Sequence, residues 1–266
     1  MKKTKEKIIN LLKPYIRHYD RLYLATKLVR SLPILSRYLL GQKTATMEVI
    51  NCGIPRSGST LLHNIIQKIL LIKFKSNYNF ISNESEYLEW LTNSPHYDLV
   101  KIHFYSPLIV MRISYKKSIG FFTHRDIRDI VASRIQKGSI KNLNTYINDG
   151  RLRVGVVNAI RYGQVRNMNI IAYNDLINNK KKTIYKIAEI LKVDLSEDTV
   201  NEMIEETFLT SLRKKLSILD FENVGKEKVN KSTGLHKNHF SNNPEVGKWK
   251  FVLTKEQEKM ILKESQ

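Results

Sequence analysis

A strand pattern and a helix pattern are joined in this chain by Gly53-Ile54-Pro55-Arg56-Ser57-Gly58-Ser59-Thr60, here called the glycine loop. Residues 47–52 have the composition of a short strand, and residues 59–74 carry apolar side chains at helical spacing. Glycines and small hydroxyl residues let successive backbone N–H groups converge on a phosphate at a helix N-terminus, where the helix dipole also favours an anion. The glycine loop therefore predicts a phosphate-binding turn.

The glycine loop differs from the P-loop of nucleoside triphosphatases, which reads G-x-x-x-x-G-K-[ST]. Gly53 and Gly58 stand at the two glycine positions, but Ser59 replaces the lysine and the basic residue is Arg56 instead. The sequence thus has both glycines of a phosphate-binding loop, but its basic residue, Arg56, precedes the position of the P-loop lysine. An ordinary glycine-rich turn between a strand and a helix is the structural alternative.

The rest of the sequence alternates between short apolar runs and helical patterns. Strands are predicted at residues 98–103, 119–123 and 169–173, and helices at residues 126–137, 175–191, 197–214 and 255–263. Asn174 is the predicted N-cap of the second of these helices, and Thr254 and Gln257 form a predicted capping box before the last. This alternation predicts an α/β fold with a central, mostly parallel sheet flanked by helices.

The length of 266 residues predicts one domain spanning residues 1–266. Within it, residues 1–44 form a basic segment whose apolar residues recur at helical spacing, and we expect a helical segment packed on the domain. A basic helix lying on an anionic membrane surface is the alternative. Residues 220–250 show no clear period and many Asn, Lys and Gly residues, which predicts a long loop.

Charge and cysteine content exclude several classes of protein. The chain has 45 basic and 25 acidic residues, a net charge of +20, so its surface faces a polyanion or uses the charge for solubility. The single cysteine, Cys52, rules out an intrachain disulfide and a multi-cysteine zinc site. No window has the ~20 apolar residues of a membrane span or the pattern of a signal peptide. A cytoplasmic protein is therefore expected.

Two further short segments carry candidate functional residues. Arg125 follows the predicted strand at residues 119–123, and Ser133 lies eight residues later in a predicted helix. Eight residues make about 2.2 helical turns, so Arg125 and Ser133 lie on a common side and can reach one anion together. Lys101-Ile102-His103 ends another predicted strand. A charged surface helix and a strand-end histidine are the corresponding structural alternatives.

In this order, the segments resemble the sulfotransferase family that uses 3′-phosphoadenosine 5′-phosphosulfate (PAPS). Pro55-Arg56-Ser57-Gly58-Ser59-Thr60 is similar to the family's loop for the 5′-phosphosulfate, and Arg125 with Ser133 is similar to its 3′-phosphate pair. Lys101-Ile102-His103 matches a Lys-x-His whose histidine is the catalytic base. Further matches are Tyr173, at the position of an adenine contact, and His236-Lys237-Asn238 before Gly247-Lys248-Trp249-Lys250. The resemblance runs from about residue 47 to residue 254.

The resemblance implies a P-loop-like nucleotide-binding fold and sulfuryl transfer from PAPS to a hydroxyl or amine, leaving 3′-phosphoadenosine 5′-phosphate (PAP). The acceptor would be a small molecule, a carbohydrate or a lipid-linked sugar, and no metal is expected. The implied catalytic residues are His103, Lys101 and Arg56. The implied donor-binding residues are Arg56, Ser57, Gly58, Ser59, Thr60, Arg125, Ser133, Tyr173 and Lys237, the last in the loop at residues 220–250 on the cofactor side.

The chain departs from the family pattern at two points. Leu61 follows Thr60, where many members have a tryptophan that stacks on adenine, so adenine must rely on other surfaces such as Tyr173. His236-Lys237-Asn238 stands where the family has Arg-Lys-Gly, so Lys237 alone is carried over.

Two other functions stay open at this stage. A nucleotide-dependent kinase would explain the glycine loop, although Ser59 replaces the loop lysine and no apolar strand after the loop ends in aspartate. A basic module that binds polyanions, or touches anionic membrane peripherally, would explain the charge but not the glycine loop. No specific nucleic-acid partner is expected.

Overall fold

The computed structural model of the chain describes residues 48–74, 77–93, 98–207, 222–224, 227–230, 235–236 and 246–264. Its main sheet has five strands: β1 (Glu48–Gly53), β2 (Asn77–Phe80), β3 (Asp98–Ile102), β4 (Ser118–His124) and β5 (Met168–Ala172). The strands lie in the order β2-β3-β1-β4-β5, and every neighbouring pair is parallel. The predicted α/β fold with a parallel sheet is confirmed.

The helices of the described ranges follow or precede these strands. They are α1 (Ser59–Lys73), α2 (Glu84–Asn93), α3 (Pro107–Ser114), α4 (Ile127–Gln136), α5 (Leu143–Asn148), α6 (Arg151–Gly163), α7 (Tyr173–Asn178), α8 (Lys180–Leu191), α9 (Glu197–Thr207) and α10 (Lys255–Glu264), with a 3₁₀ helix at Lys248–Phe251. None of them is long and apolar enough to cross a membrane.

Strand β1 lies at the centre of the sheet, and all six of its residues are buried. Burial on both faces is typical of a parallel sheet covered by helices. The main apolar cluster lies where α1, α8 and α9 pack on the sheet, and it includes Leu62, Ile66, Phe121, Ile187 and Val200. This core holds β1 and the start of α1, and therefore the glycine loop between them, in a fixed position.

The strand order places the ends of three strands side by side. In the ladders, Cys52 is opposite Ile102 of β3, and Gly53 is opposite Thr123 of β4. After β1, the chain adds β2 and β3 beside one edge of β1, and it then crosses to add β4 and β5 beside the other edge. The direction in which strands are added therefore reverses at β1. Open α/β sheets bind ligands at such a reversal, outside the carboxyl ends of the strands. The glycine loop begins at this point.

One predicted helix is divided in two. The sequence predicts a single helix over residues 175–191 with Asn174 as its N-cap, but the structure has α7 at Tyr173–Asn178 and α8 at Lys180–Leu191. Asn174 lies inside α7, and Ala172 precedes it without a side-chain cap. The break occurs at Asn179, whose φ of −120° and ψ of 43° are not helical. A single residue with non-helical dihedrals leaves the apolar spacing on both sides intact, so periodicity does not reveal it.

Other local predictions are confirmed. Thr254 and Gln257 form the predicted capping box, since the Gln257 N–H donates to Thr254 Oγ1 and the Thr254 N–H donates to Gln257 Oε1. Helix α4 begins after Asp126, whose side chain accepts from the Arg128 N–H. The helix predicted over residues 197–214 is described as far as Thr207, and its remainder lies outside the described residues.

The stretch expected to be a long loop contains regular structure. Strands β6 (Glu222–Val224), β7 (Glu227–Asn230) and β8 (Leu235–His236) form a small antiparallel sheet. Strands of this length contain too few residues to show an alternating pattern, which explains why the sequence predicted only a loop. The basic segment at residues 1–44 lies outside the described residues.

Contacts divide the chain into two compact units. Residues Ser85–Pro95 belong to the smaller unit, and the larger comprises Ala45–Glu84 and His96–Gln266. The candidate functional residues that the structure describes all lie in the larger unit.

Candidate active site

The glycine loop is held by contacts from the neighbouring strands. The amide Nδ2 of Asn51, in β1, donates to the Ser59 carbonyl at 2.7 Å. The Ser57 N–H donates to the Ile54 carbonyl at 3.0 Å, which closes a tight turn. The hydroxyls of Ser57 and Thr123 are hydrogen-bonded at 2.7 Å, so β4 also holds the loop. Asn51 and Thr123 are supporting residues that the sequence analysis missed, because neither belongs to the loop motif.

Gly58 turns the chain into helix α1. Its φ of 96° lies in the left-handed region, and a Cβ at this position would lie 2.5 Å from Cδ2 of Tyr173. No side chain caps the helix, and its first turn contains no acidic residue. The first N–H groups of a helix have no intrahelical acceptor. The turn at Gly58 thus presents N–H donors and the positive end of a helix dipole, as an anion site requires.

Lys101 lies at the end of β3, directly against the start of α1. Its side chain is buried, with 2% of the residue exposed, and Nζ donates to Thr60 Oγ1 at 2.7 Å. Burial, with a smaller contribution from the Arg56 charge, lowers the pKa of Lys101 to about 7. An uncompensated buried ammonium is costly, so this position favours an anion that would neutralise it.

His103 follows β3 and points towards the glycine loop. Its Nδ1 lies 2.5 Å from the Gly53 carbonyl oxygen. A carbonyl can only accept, so Nδ1 carries the hydrogen and Nε2 is the basic nitrogen of the neutral ring. The ring of Phe80 contacts the His103 ring edge to face, with centroids 5.7 Å apart. Strand β3 therefore places a cation and an oriented imidazole at the same loop.

A second histidine lies close to these groups. His63, in α1, is 1% exposed, and burial lowers its pKa, with smaller contributions from the charges of Lys101 and His103. The sequence analysis missed His63, since its place on the buried face of α1 follows from the packing of the helix on the sheet.

The second group of predicted residues also comes together in the structure. Arg125 lies against Tyr173, with the guanidinium carbon 4.0 Å from the ring centroid, and its Nη1 donates to the Arg56 carbonyl at 3.0 Å. Arg56 Nε in turn donates to Ser133 Oγ at 3.1 Å. The predicted pair Arg125 and Ser133 is thus joined through Arg56. Lys237, also predicted, lies outside the described residues.

Arg56 connects the two groups. Its φ of 77° is unusual for a residue with a side chain, and such strained backbone is concentrated at functional sites. The resemblance implies that Arg56 is both a catalytic and a donor-binding residue, and in the structure its Nε donates to Ser133 Oγ. Burial and the neighbouring Arg125 charge lower the pKa of Arg56, and the Arg56 charge contributes to the lowered pKa of Lys101.

Tyr173 lies where the loop and Arg125 meet. Its ring contacts Arg125 on one side, and it leaves room only for a glycine at position 58. A contact between Tyr173 and an adenine stays a prediction. Leu61, at the position of the family's tryptophan, packs against the apolar core. Among the residues that the structure describes, no group of three His, Cys, Asp or Glu side chains could hold a metal ion.

Solved structures of known proteins have a similar fold. A mouse sulfotransferase, SULT7A1, complexed with PAP, matches with a TM-score of 0.59 at 14% identity, over 82% of each chain. Retinol dehydratase complexed with retinol and PAP matches with a TM-score of 0.56 at 15% identity, over 88% of this chain and 84% of the other. The same enzyme with androsterone and inactive cofactor PAP matches at 0.55 and 15%, over 84% and 80%. At these identities the likeness concerns the fold.

The family is shown by the sequence itself. No curated protein matches this chain. A family model, described as the sulfotransferase domain, matches residues 47–264. The match contains β1, the glycine loop, β3, α4 and the C-terminal turn, in the order in which the sequence analysis arranged them. The chain therefore belongs to the sulfotransferase domain family.

Proposed function

We propose that this protein transfers a sulfuryl group from PAPS to a hydroxyl of an acceptor molecule. One observation carries the proposal. Two distinct cationic groups lie at the carboxyl ends of the central strands, namely the glycine loop with Lys101 and the Arg125–Ser133 segment with Arg56. A nucleotide with phosphates at both its 3′ and 5′ positions has one phosphate for each group. The solved neighbours are described as complexes with PAP, which has these two phosphates.

The glycine loop suits the 5′-phosphosulfate. Gly58 provides a left-handed turn, α1 provides uncapped N–H groups, and Lys101 provides a buried ammonium beside Thr60. An anion here would relieve the cost of the buried Lys101 charge, because the two charges compensate one another. The backbone N–H groups of Ser59 and Thr60 would bind the phosphate oxygens.

The Arg125–Ser133 segment suits the 3′-phosphate. Arg125 is oriented on two sides, by the Tyr173 ring and by the Arg56 carbonyl. The Ser133 hydroxyl lies in the same cluster and belongs to the second turn of α4. An oriented guanidinium is well suited to a phosphate because it donates two parallel hydrogen bonds. A nucleotide without a 3′-phosphate would lose these contacts.

His103 is the proposed general base. Sulfuryl transfer forms a bond between the acceptor oxygen and sulfur and breaks the bond between sulfur and the 5′-phosphate oxygen, which leaves PAP. The acceptor hydroxyl gives its proton to His103 Nε2, the nitrogen left basic by the hydrogen bond of Nδ1 to Gly53. Lys101 and the loop N–H groups stabilise the negative charge that develops on the 5′-phosphate oxygen.

The first experiment compares two nucleotides by calorimetry and thermal unfolding. PAP should bind at least about tenfold more tightly than AMP, because a charge-assisted contact to the 3′-phosphate adds roughly 1.5–3 kcal/mol. At a PAP concentration about 100 times the dissociation constant, the free energy of unfolding should rise by ~2.7 kcal/mol. Equal affinity for PAP and AMP would contradict the proposal.

The second experiment tests the reaction class. Transfer of labelled sulfuryl from PAPS to a panel of phenols, alcohols and sugars is followed in excess EDTA and in Mg²⁺. We expect similar rates, since Arg56, Lys101 and Arg125 already provide positive charge at the site. A rate that EDTA abolishes and Mg²⁺ restores, or phosphoryl transfer from ATP, would favour a kinase instead.

A further inference from the structure

Asp129 is a buried carboxylate to which no role has yet been assigned. It is the third residue of α4 and is 1% exposed. Its Oδ2 accepts the Gly247 N–H at 2.9 Å, and its Oδ1 accepts the Trp249 N–H at 3.0 Å. One carboxylate thus binds both ends of the turn at residues 247–249, although these residues are more than a hundred positions later in the chain.

The same carboxylate also faces Arg125. Oδ2 of Asp129 lies 3.9 Å from Nε of Arg125, one helical turn earlier. The other constraints on this guanidinium are the Tyr173 ring at 4.0 Å and the Arg56 carbonyl, which accepts from Nη1 at 3.0 Å. At this distance the pair is an ion pair without a hydrogen bond, and Arg125 Nε has no hydrogen-bond partner among the described residues. Asp129 therefore attracts the guanidinium electrostatically from a third side. The ring and the carbonyl orient the guanidinium, and the Asp129 charge favours the same orientation.

Attachment of the C-terminal segment does not depend on Asp129 alone. Arg128 lies over the Trp249 ring, 3.9 Å from its centroid, and its Nη1 donates to Glu258 Oε1 at 2.6 Å. Arg128 is also paired with Asp126. These contacts join α4 to the C-terminal turn and to α10 without Asp129. The contribution specific to Asp129 is to link the backbone of that turn with the side chain of Arg125.

We propose that Asp129 is a positioning residue that sets the preference of the site for a nucleotide with a 3′-phosphate. It acts through the orientation of Arg125 and through the backbone of the turn at Gly247–Trp249. This inference rests on the proposed function, in which Arg125 binds the 3′-phosphate. A residue that only stabilised the fold would weaken all nucleotides alike, whereas Asp129 should affect PAP and not AMP.

The test compares Asp129→Asn with Asp126→Asn in the full chain. Both substitutions remove one negative charge at the start of α4. In the part of the chain that the structure describes, however, the Asp126 carboxylate is hydrogen-bonded to Arg128 and not to Arg125 or the C-terminal turn. An asparagine side chain at position 129 keeps one acceptor oxygen, but its NH₂ group cannot accept a hydrogen bond. That group would face either a backbone N–H of the turn or the Arg125 guanidinium. We expect PAP affinity to fall at least about tenfold and AMP affinity to stay within about twofold, as measured by calorimetry.

The control variant should behave differently. Asp126→Asn keeps an N-cap residue and should leave the ratio of PAP to AMP affinity within about twofold of wild type. In the transfer assay, Asp129→Asn should raise KM for PAPS more than it lowers kcat. An unchanged ratio in Asp129→Asn, or an equal change in both variants, overturns the role of Asp129. Equal binding of PAP and AMP by the wild-type chain overturns the proposed function as well.

Gly247→Ala tests the connection between Asp129 and the C-terminal turn by changing the turn instead of the carboxylate. This variant keeps the proposal testable if Asp129→Asn does not fold. Gly247 has a φ of 80°, and no atom lies within 4 Å of a Cβ built there, so the substitution strains the turn without a clash. Asp129 itself stays intact. The ratio of PAP to AMP affinity should fall by about twofold to fivefold. A ratio that is unchanged in this variant overturns the proposal that the turn is part of the link.

Discussion

The glycine loop and the Arg125–Ser133 segment are built in opposite ways. The glycine loop consists of small residues and backbone N–H groups, and its supporting contacts come from adjacent strands through Asn51 and Thr123. The Arg125–Ser133 segment uses long cationic side chains. Its supporting contacts come from distant parts of the chain, including Tyr173 and the turn at residues 247–249. In the proposed function, the glycine loop would bind its phosphate through the path of its backbone, and the Arg125–Ser133 segment through the orientation of its side chains.

The two regions should therefore be sensitive to different kinds of substitution. A change that alters backbone φ or adds a Cβ should damage the glycine loop, whereas a change of charge or of a distant contact should damage the Arg125–Ser133 segment. Lys101 and His103 lie on the side of the glycine loop, so under the proposed function the chemical step would depend on that region. Under the same proposal, specificity for the nucleotide would depend on the Arg125–Ser133 segment. Substitutions in each region can test these separate roles of the glycine loop and the Arg125–Ser133 segment.

The largest effect is expected from His103→Ala. Loss of a general base costs about 10²- to 10⁴-fold in rate. Nucleotide binding should be almost unchanged, because the donor contacts lie at other residues. An assay of sulfuryl transfer measures the loss of rate, and a PAP binding measurement shows whether nucleotide affinity is unchanged. His124→Ala is the matched control, since His124 is an exposed residue at the end of β4. Near-normal turnover in His103→Ala would mean that another residue is the base.

Gly58→Ala should be the most damaging change to the loop itself. A positive φ costs a residue with a Cβ about 1–2 kcal/mol, and the clash with Tyr173 adds roughly 1–3 kcal/mol. Gly138→Ala isolates the first cost, because Gly138 has a φ of 68° and nothing within 4 Å of an added Cβ. Thermal unfolding and PAP binding measure the difference. Equal losses in both variants would show that close packing at Gly58 is unimportant.

Arg125→Ala should change specificity more than stability. We expect PAP affinity to fall by about 10- to 150-fold, towards that of AMP, because the variant loses a charge-assisted contact of roughly 1.5–3 kcal/mol. AMP affinity should change little. Arg151→Ala is the control, since Arg151 is exposed and paired with Asp149. If AMP affinity falls as much as PAP affinity, Arg125 does not distinguish the two phosphates.

The smallest effects concern Lys101 and pH. Above pH 7 the ligand-free protein loses the Lys101 charge, so PAP binding must take up a proton there, and its affinity should fall by at most about tenfold per pH unit. Calorimetry at pH 8 in buffers of different ionisation enthalpy measures the uptake. Lys101→Met should abolish it. Proton uptake that persists in this variant would assign the titration to another group.

The stability of the ligand-free protein should show the opposite trend. The pKa of Lys101 is about 7 in the folded protein and 10.5 as an ordinary lysine, so the unfolded chain binds more protons between these values. The free energy of unfolding should therefore gain a contribution that grows as pH rises from about 7 to about 10.5. Denaturant unfolding of wild type and Lys101→Met isolates this contribution, which the variant should lack. Its absence from the wild type would mean that the lysine is solvated.

The same difference between the two regions explains which parts of the site can be predicted from the sequence. The glycine loop, β1 and α1 are predictable because the motif, the strand and the helix are contiguous, and their spacing is set by local geometry. Arg125 and Ser133 are predictable as a pair from the family resemblance, because the family has an Arg near a strand end and a Ser eight residues later. Two features of the site are not predictable from the sequence, because they depend on how separate elements pack. They are the hydrogen bond of Arg56 to Ser133 and the bonds of Asp129 to Gly247 and Trp249.

The two-phosphate account is tested most directly by ³¹P NMR of bound PAP, whose 3′ and 5′ phosphorus atoms can be observed separately. Spectra are recorded at saturating PAP for the wild type, Arg125→Ala and Lys101→Met. We expect Arg125→Ala to shift the bound 3′ resonance and Lys101→Met to shift the bound 5′ resonance, each variant leaving the other resonance nearly in place. Both variants shifting the same resonance, or neither shifting any, would contradict the assignment of one phosphate to each region.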